Sequence, residues 1–304
     1  MENVYFDNAA TTRLDEDVLK EMLPYLREDY GNASAIYKLG RESRKAIEEA
    51  RERIAKVLNC KPNEIYFTAG GSESDNTAIK GIAHSYKNKG NHIITSKIEH
   101  PAVLETCKEL EKEGFEVTYI PVDENGIIDL EELKKAIKPT TILISVMFAN
   151  NEIGTIEPIK EIGKIAKKNK IYFHTDAVQA VGSIKIDVQD LNIDSLSLSG
   201  HKFYGPKGIG ALYVKTGINF KKFIDGGHQE RNKRAGTENV AAIVGMGKAL
   251  EMAYENMDEH NEKIRALRDY YESQVLEKIP YVKVNGKNLY SDKSDTRKIT
   301  LKSP

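Results

Sequence analysis

The sequence predicts an α/β domain built on a largely parallel sheet with helices on both faces. Three observations carry that expectation. There are seven short apolar or β-branched runs, and amphipathic helical patterns lie between most of them. The chain has 304 residues, 40% of them hydrophobic, enough for one large core plus a smaller appended unit.

Taken in order, residues 41–58 place Ile47, Ala50, Ile54, Val57 and Leu58 at helical spacing with charges on the opposite face. The predicted strands follow at 64–68 (EIYFT), 92–96 (HIITS), 116–120 (EVTYI), 141–147 (TILISVM), 171–176 (IYFHTD), 194–199 (DSLSLS) and 208–214 (GIGALYV). Helical patterns at 101–113 and 158–169 separate some of them, which is the alternation a parallel sheet needs. From about Glu238 the pattern turns helical for several turns, so a long connecting helix and a second small unit are expected. The resulting division is an N-terminal segment 1–15 packing toward the small domain, a large domain 16–255, and a long helix with an incomplete small α/β domain 256–304. The last stretch, NGKNLYSDKSDTRKITLKSP, is polar and weakly patterned, and is expected to stop before a compact unit closes. No internal repeat or low-complexity tract occurs.

Composition excludes several function classes. Lys and Arg total 45 against 46 Asp and Glu, so no global field draws the chain to nucleic acid or an acidic membrane. Cys60 and Cys107 have no paired spacing, which argues against a disulfide framework or a zinc knuckle. No window approaches the ~18 apolar residues of a membrane span, and the stretch MENVYFDNAATT has no basic region followed by an apolar run. A cytoplasmic protein acting on small molecules or other proteins is expected.

In such sheets ligands gather beyond the carboxyl ends of the strands. After 64–68 comes AGGSESDN (69–76), where two glycines permit close backbone approach and Ser72, Glu73 and Ser74 open a helix. That suits a phosphate, although the segment alone equally reads as an ordinary helix cap. His100-Pro101 ends one strand and starts a helix. ANNEIG (149–154) and DAVQAVG (176–182) add amides and a carboxylate at the same edge. Asp176 ends one strand and Lys202 follows the next. An acid for a protonated pyridine nitrogen and a lysine for a Schiff base are the two groups that pyridoxal phosphate most requires. A metal pair at His174 and Asp176 is the blander alternative, but no third ligand spacing supports it.

The motifs DNAATT (7–12), GNASA (31–35), GGSESDN (70–76), EHPAV (99–103), NNEIG (150–154), DAVQAVG (176–182), SGHKFYGPKGIGALYV (199–214) and RAGTENV (234–240) resemble the cysteine desulfurases. These are fold-type I pyridoxal phosphate enzymes of the class V aminotransferase family. The resemblance is closest to the branch of iron–sulfur cluster and nitrogenase assembly, through GGHQERNKRAGTEN. It implies conversion of L-cysteine to L-alanine, with sulfur left on an enzyme cysteine. Lys202 would carry the cofactor and move a proton at Cα, while His100 would stack on the ring and shuttle protons. Asp176 would keep the ring nitrogen protonated, Gln179 would bond the ring hydroxyl, and Asn151 would lie near the ring or substrate. Gly71 and Ser72, with Ser199 and His201, would hold the phosphate. In the family the residue matching Thr237 reaches the neighbouring subunit's phosphate, so a homodimer is implied. The implied sulfur acceptor is an iron–sulfur scaffold or another protein. A selenocysteine or cysteine-sulfinate lyase, or a non-catalytic cofactor-binding scaffold paired with a full-length subunit, are the competing readings.

The chain departs from the family pattern in places. The family's sulfur-accepting cysteine loop and its carboxylate-binding arginine would follow residue 304. Cys60 at a helix end and Cys107 inside a helix are expected to be inert. Ala33 and Tyr37 stand where the family commonly has proline and histidine, and RKITLKSP does not resemble the strand that normally follows. A truncated or frame-shifted product that binds cofactor without turning over is therefore expected.

Overall fold

The computed structural model describes residues 4–286. The RKITLKSP stretch and most of the expected small domain lie outside those residues. Helices α1 (Glu16–Arg27) and α2 (Lys38–Leu58) open the chain. The α/β succession is then β1 (Ile65–Thr68), α3 (Gly71–Tyr86), β2 (His92–Ser96), α4 (Pro101–Lys112), β3 (Glu116–Ile120) and α5 (Leu130–Ala136). It continues with β4 (Thr141–Ser145), α6 (Ile159–Asn169), β5 (Tyr172–Asp176), β6 (Ser195–Ser199) and β7 (Gly210–Val214). A single turn α7 (Gln229–Asn232) precedes α8 (Val240–Glu255) and α9 (Met257–Lys278).

The seven strands form one sheet in the order β1-β7-β6-β5-β4-β2-β3. Strand β7 runs antiparallel to both β1 and β6, and the other pairs are parallel. The sheet is therefore mostly parallel, as expected, with a reversed strand wedged near one edge. One face packs on α3 and α4 through Ile79, Ile82, Val103 and Leu110. The other packs on α2, α6 and α8 through Ile47, Ile54, Ile162 and Ile243. Because both faces are covered, β2, β4, β6 and β7 are buried along their whole length.

The expected single long helix is two helices that meet at Asn256, whose φ of -109° and ψ of 11° interrupt the helical path. Helix α8 is largely buried, whereas α9 buries only Met257 and Val275. The polarity of 256–278 forecasts that difference, but no glycine or proline marks the break.

Two buried features had no sequence signal. Arg51 on α2 makes a bidentate pair with Glu230, with both N–O distances 2.8 Å, and donates to Ile65 O at 2.7 Å. That pair anchors a loop in which Glu230, Arg231 and Asn232 all have positive φ. Glu157 is fully buried, accepts from Ile128 N at 2.9 Å, and is pushed up to about 8 by burial. The fold thus holds a proton on Glu157 that the unfolded chain releases near pH 4.3. Its stabilising contribution is full below that pH and is lost as pH rises toward 8. The thermal midpoint of Glu157→Gln is expected to fall less between pH 5 and 8 than the parent's, by the equivalent of a few kcal/mol. Parallel slopes in the two proteins would show that Glu157 is ionised in the fold.

Candidate active site

The face of the sheet that carries α3 changes character along its strands. Toward the amino ends it presents Ile93, Leu143 and Tyr172 to the helices. Toward the carboxyl ends the same register gives Thr95, Ser145, His174 with Asp176, and Ser197 with Ser199. All six of these are buried. Serines alternating with leucines in a strand covered on both faces mark a polar seam rather than a solvent face. A cavity of about 470 Å³ opens over this seam, lined by Asp176, Lys202, His100, Asn151, Gln179 and Asp75 among others.

Asp176 is 6% exposed, and its Oδ1 accepts from Val178 N at 2.9 Å. Burial raises its pKa, while the Val178 N–H and the charges of His100 and Lys202 pull it back. A carboxyl so placed gains most from a cationic N–H entering the cavity.

Lys202 ends a 3₁₀ turn, Gly200–Lys202, directly after β6. The turn is fixed from both sides: Gly200 N donates to Ile209 O, and Phe203 N and Gly205 N both donate to Gly200 O. Residues 9–15 lie across it. Thr12 N donates to His201 O at 2.9 Å, and Tyr204 N donates to Thr12 Oγ1 at 2.8 Å. The Lys202 Nζ donates to Ala9 O at 2.5 Å and Ala10 O at 2.9 Å, which parks the amine in the cavity. Gln179 Nε2 donates to the same Ala9 carbonyl at 3.0 Å.

The far end of the cavity is the N-terminus of α3, where Gly71 and Ser72 line it together with Ser199 and His201. The first N–H groups of a helix have no intrahelical partner. A Cβ on Gly71 would come within 2.6 Å of Val178 Cγ2, so only glycine lets the backbone come this close. Arg234 braces the loop from behind: its Nε and Nη2 bond both oxygens of Glu73, at 2.9 and 3.2 Å, and Glu73 Oε2 accepts from Ala69 N.

His100 caps α4, its Nδ1 accepting from Ala102 N at 3.1 Å, so the helix starts where expected, whereas β2 already ends at Ser96 and a short turn separates the two. Asn151 Nδ2 bonds Glu152 Oε1 at 2.8 Å. Of the predicted site residues, only Thr237 is not brought into this cavity. It lines a separate one with Arg234, Glu238 and Gly208. Sequence reasoning missed Glu99, which is buried and pushed up to about 8. Its Oε1 accepts from Ser96 Oγ at 2.6 Å and Met147 N at 2.9 Å, and so joins the loops that carry His100 and Asn151. No sequence signal marked it, since its neighbours in the turn, Lys97, Ile98 and His100, are exposed or half-buried. Burial pushes both cysteine thiols up to about 12; Cys60 follows the end of α2 and Cys107 is enclosed within α4.

The fold is that of the fold-type I pyridoxal phosphate-dependent enzymes. The model of the aminotransferase class-V family matches residues 4–303, and the chain belongs to that family. It is 60% identical over 283 residues to the cysteine desulfurase IscS of Clostridium botulinum, covering 93% of this chain and 71% of the relative. Its identity to the IscS of Methanosarcina thermophila is 58%, covering 93% and 70%. Among solved structures, a NifS-like protein superimposes with a TM-score of 0.89 at 45% identity, over 91% of this chain and 76% of the other. A structure described as SspA in complex with cysteine gives 0.80 at 47% identity, over 82% and 72%.

The cavity fits the cofactor of this family. It has a buried acid whose pKa burial raises at one end, an amine on its wall, and a glycine-lined helix N-terminus at the other. Among the described residues no helix is long and apolar enough to cross a membrane.

Proposed function

We propose that the chain is a cysteine desulfurase that binds pyridoxal phosphate in the cavity above β5 and β6. L-Cysteine and a protein thiol are converted to L-alanine and a protein persulfide. The observation that carries the reading is the convergence of Asp176, Lys202 and the α3 N-terminus, from three separate elements, on one cavity. When bound, the cofactor supplies an electron sink joined to the substrate amine. Lys202 holds it covalently and then moves the proton at the substrate Cα. Asp176 receives the ring N–H, Gln179 the ring hydroxyl, and Gly71, Ser72, Ser199 and His201 the phosphate. His100 covers the ring and relays protons, and Asn151 positions the substrate.

Neither Cys60 nor Cys107 is the sulfur-accepting thiol, because the half-buried Cys60 and the enclosed Cys107 are both pushed up to about 12 and supply little thiolate. Thr237 serves the second subunit of a homodimer, in keeping with its place outside its own chain's cavity. The sulfur passes to an iron–sulfur scaffold or a similar acceptor protein. The chain divides at Asn256, where the buried α8 gives way to the exposed α9.

Borohydride treatment of the cofactor-loaded protein is expected to fix label on the peptide containing Lys202 and on no other. Label on a different lysine, or none on folded protein, would overturn the assignment.

A further inference from the structure

Behind Asp176 lies a second acid that the chemistry above leaves without a role. Asp75, on α3, is 1% exposed and lines the same cavity as Asp176 and Lys202. Its Oδ1 is buried with no hydrogen-bond partner. The basic group beside it is His174, whose Nε2 stands 3.6 Å from that oxygen. This imidazole supplies no counter-charge. Its Nδ1 pairs with Ser145 Oγ at 2.9 Å and its Nε2 with Ser197 Oγ at 3.0 Å, and burial pushes it down to about 3.

The groups that face Asp75 are thus a neutral His174 and an acidic Asp176 on β5, the Ser197 hydroxyl on β6, and Glu99 from the turn before α4. Burial, Asp176 and Glu99 raise the Asp75 pKa, and only Ser197 opposes them. Lys202 and His100 act on Asp176, and neither is among the groups that act on Asp75. Two carboxylates in one dry site do not both ionise, and environments that push their affinities apart decide which keeps the proton.

We propose that Asp75 is a positioning residue for the acid that receives the cofactor ring: it holds one proton, so that the Asp75–Asp176 pair carries a single negative charge, placed on Asp176. This rests on the reading of the cavity as a pyridoxal phosphate site. A carboxylic acid at position 75 keeps the seam of Ser145, His174 and Ser197 free of a second buried charge, and leaves Asp176 alone to draw the ring N–H. Entry of that N–H cancels the Asp176 charge and removes the repulsion that keeps Asp75 protonated. Cofactor binding and Asp75 ionisation are therefore linked.

The test is infrared difference spectroscopy between the parent and Asp75→Asn, both free of cofactor. The protonated-carboxyl carbonyl stretch is expected in the parent at neutral pH and absent from the variant, with Glu99 and Glu157 cancelling in the difference. In Asp176→Asn the band is expected to disappear at a pH lower by about one unit or more, since a like charge has gone. Pyridoxal phosphate added to the parent moves the band in the same direction, whereas inorganic phosphate, which offers no ring nitrogen, does not. If Asp75→Asn fails to fold, the two shifts are read in a Glu99→Gln background, because the Asp176 charge also raises the Glu99 pKa. No protonated band, or a band unmoved by both Asp176→Asn and the cofactor, would overturn the proposal. Failure of pyridoxal phosphate to bind while the Asp176→Asn shift persists would instead refute the cofactor reading.

Discussion

Lys202→Ala is expected to abolish covalent retention of pyridoxal phosphate and to slow deuterium uptake at Cα of L-alanine or L-cysteine by ~10²–10⁴-fold, the usual reach of a positioned general base. The lysine head donates to the Ala9 and Ala10 carbonyls of the N-terminal segment, which lies outside the sheet. The thermal midpoint of the cofactor-free protein should therefore stay within a few degrees of the parent's. Nuclear magnetic resonance of the substrate Cα–H measures the exchange directly. Uptake at the parental rate would remove Lys202 from the chemistry.

Asp176→Ala tests the other end of the ring. Losing one member of a buried charge pair costs about 3–5 kcal/mol, which as a barrier corresponds to ~10²–10⁴-fold in rate. Exchange at Cα is expected to fall by that factor at saturating cofactor, because the phosphate cradle at Gly71 and Ser72 is untouched. The fold survives, since burial of Asp176 raises its pKa and makes its charge a burden on the cofactor-free protein. Should the variant exchange protons as the parent does, Asp176 does not set the state of the ring nitrogen.

Much of this was legible in the sequence because the signals are local. Strands at 92–96 and 116–120 coincide with β2 and β3, and 101–113 is α4 to within a residue, where β-branched runs and a His-Pro start leave little choice. Lys202, Asp176 and the Gly71–Ser72 turn were found because each follows a strand whose carboxyl end must face the site. Helices α1 and α5 were not read: α5 is short, and α1 carries Pro24 within it. The reversal of β7 was equally hidden, because an apolar strand buried on both faces has no direction in its pattern. Asp75, Glu99, and the Arg51–Glu230 pair escaped for a different reason. Each sits among charged residues in the sequence, and only the packing of remote segments shows it to be buried.

The crossing of residues 9–15 over the Lys202 turn has a consequence for how the molecule comes to be made. The Lys202 to Ala9 contact spans 193 residues, and the seat of β7 against β1, which pairs Thr68 with Gly210, closes another long loop. Contacts of such separation form late, after helices and adjacent parallel strands have condensed. The reactive amine is thus enclosed only when the first and the later parts of the domain meet, so capture of the cofactor marks the end of folding.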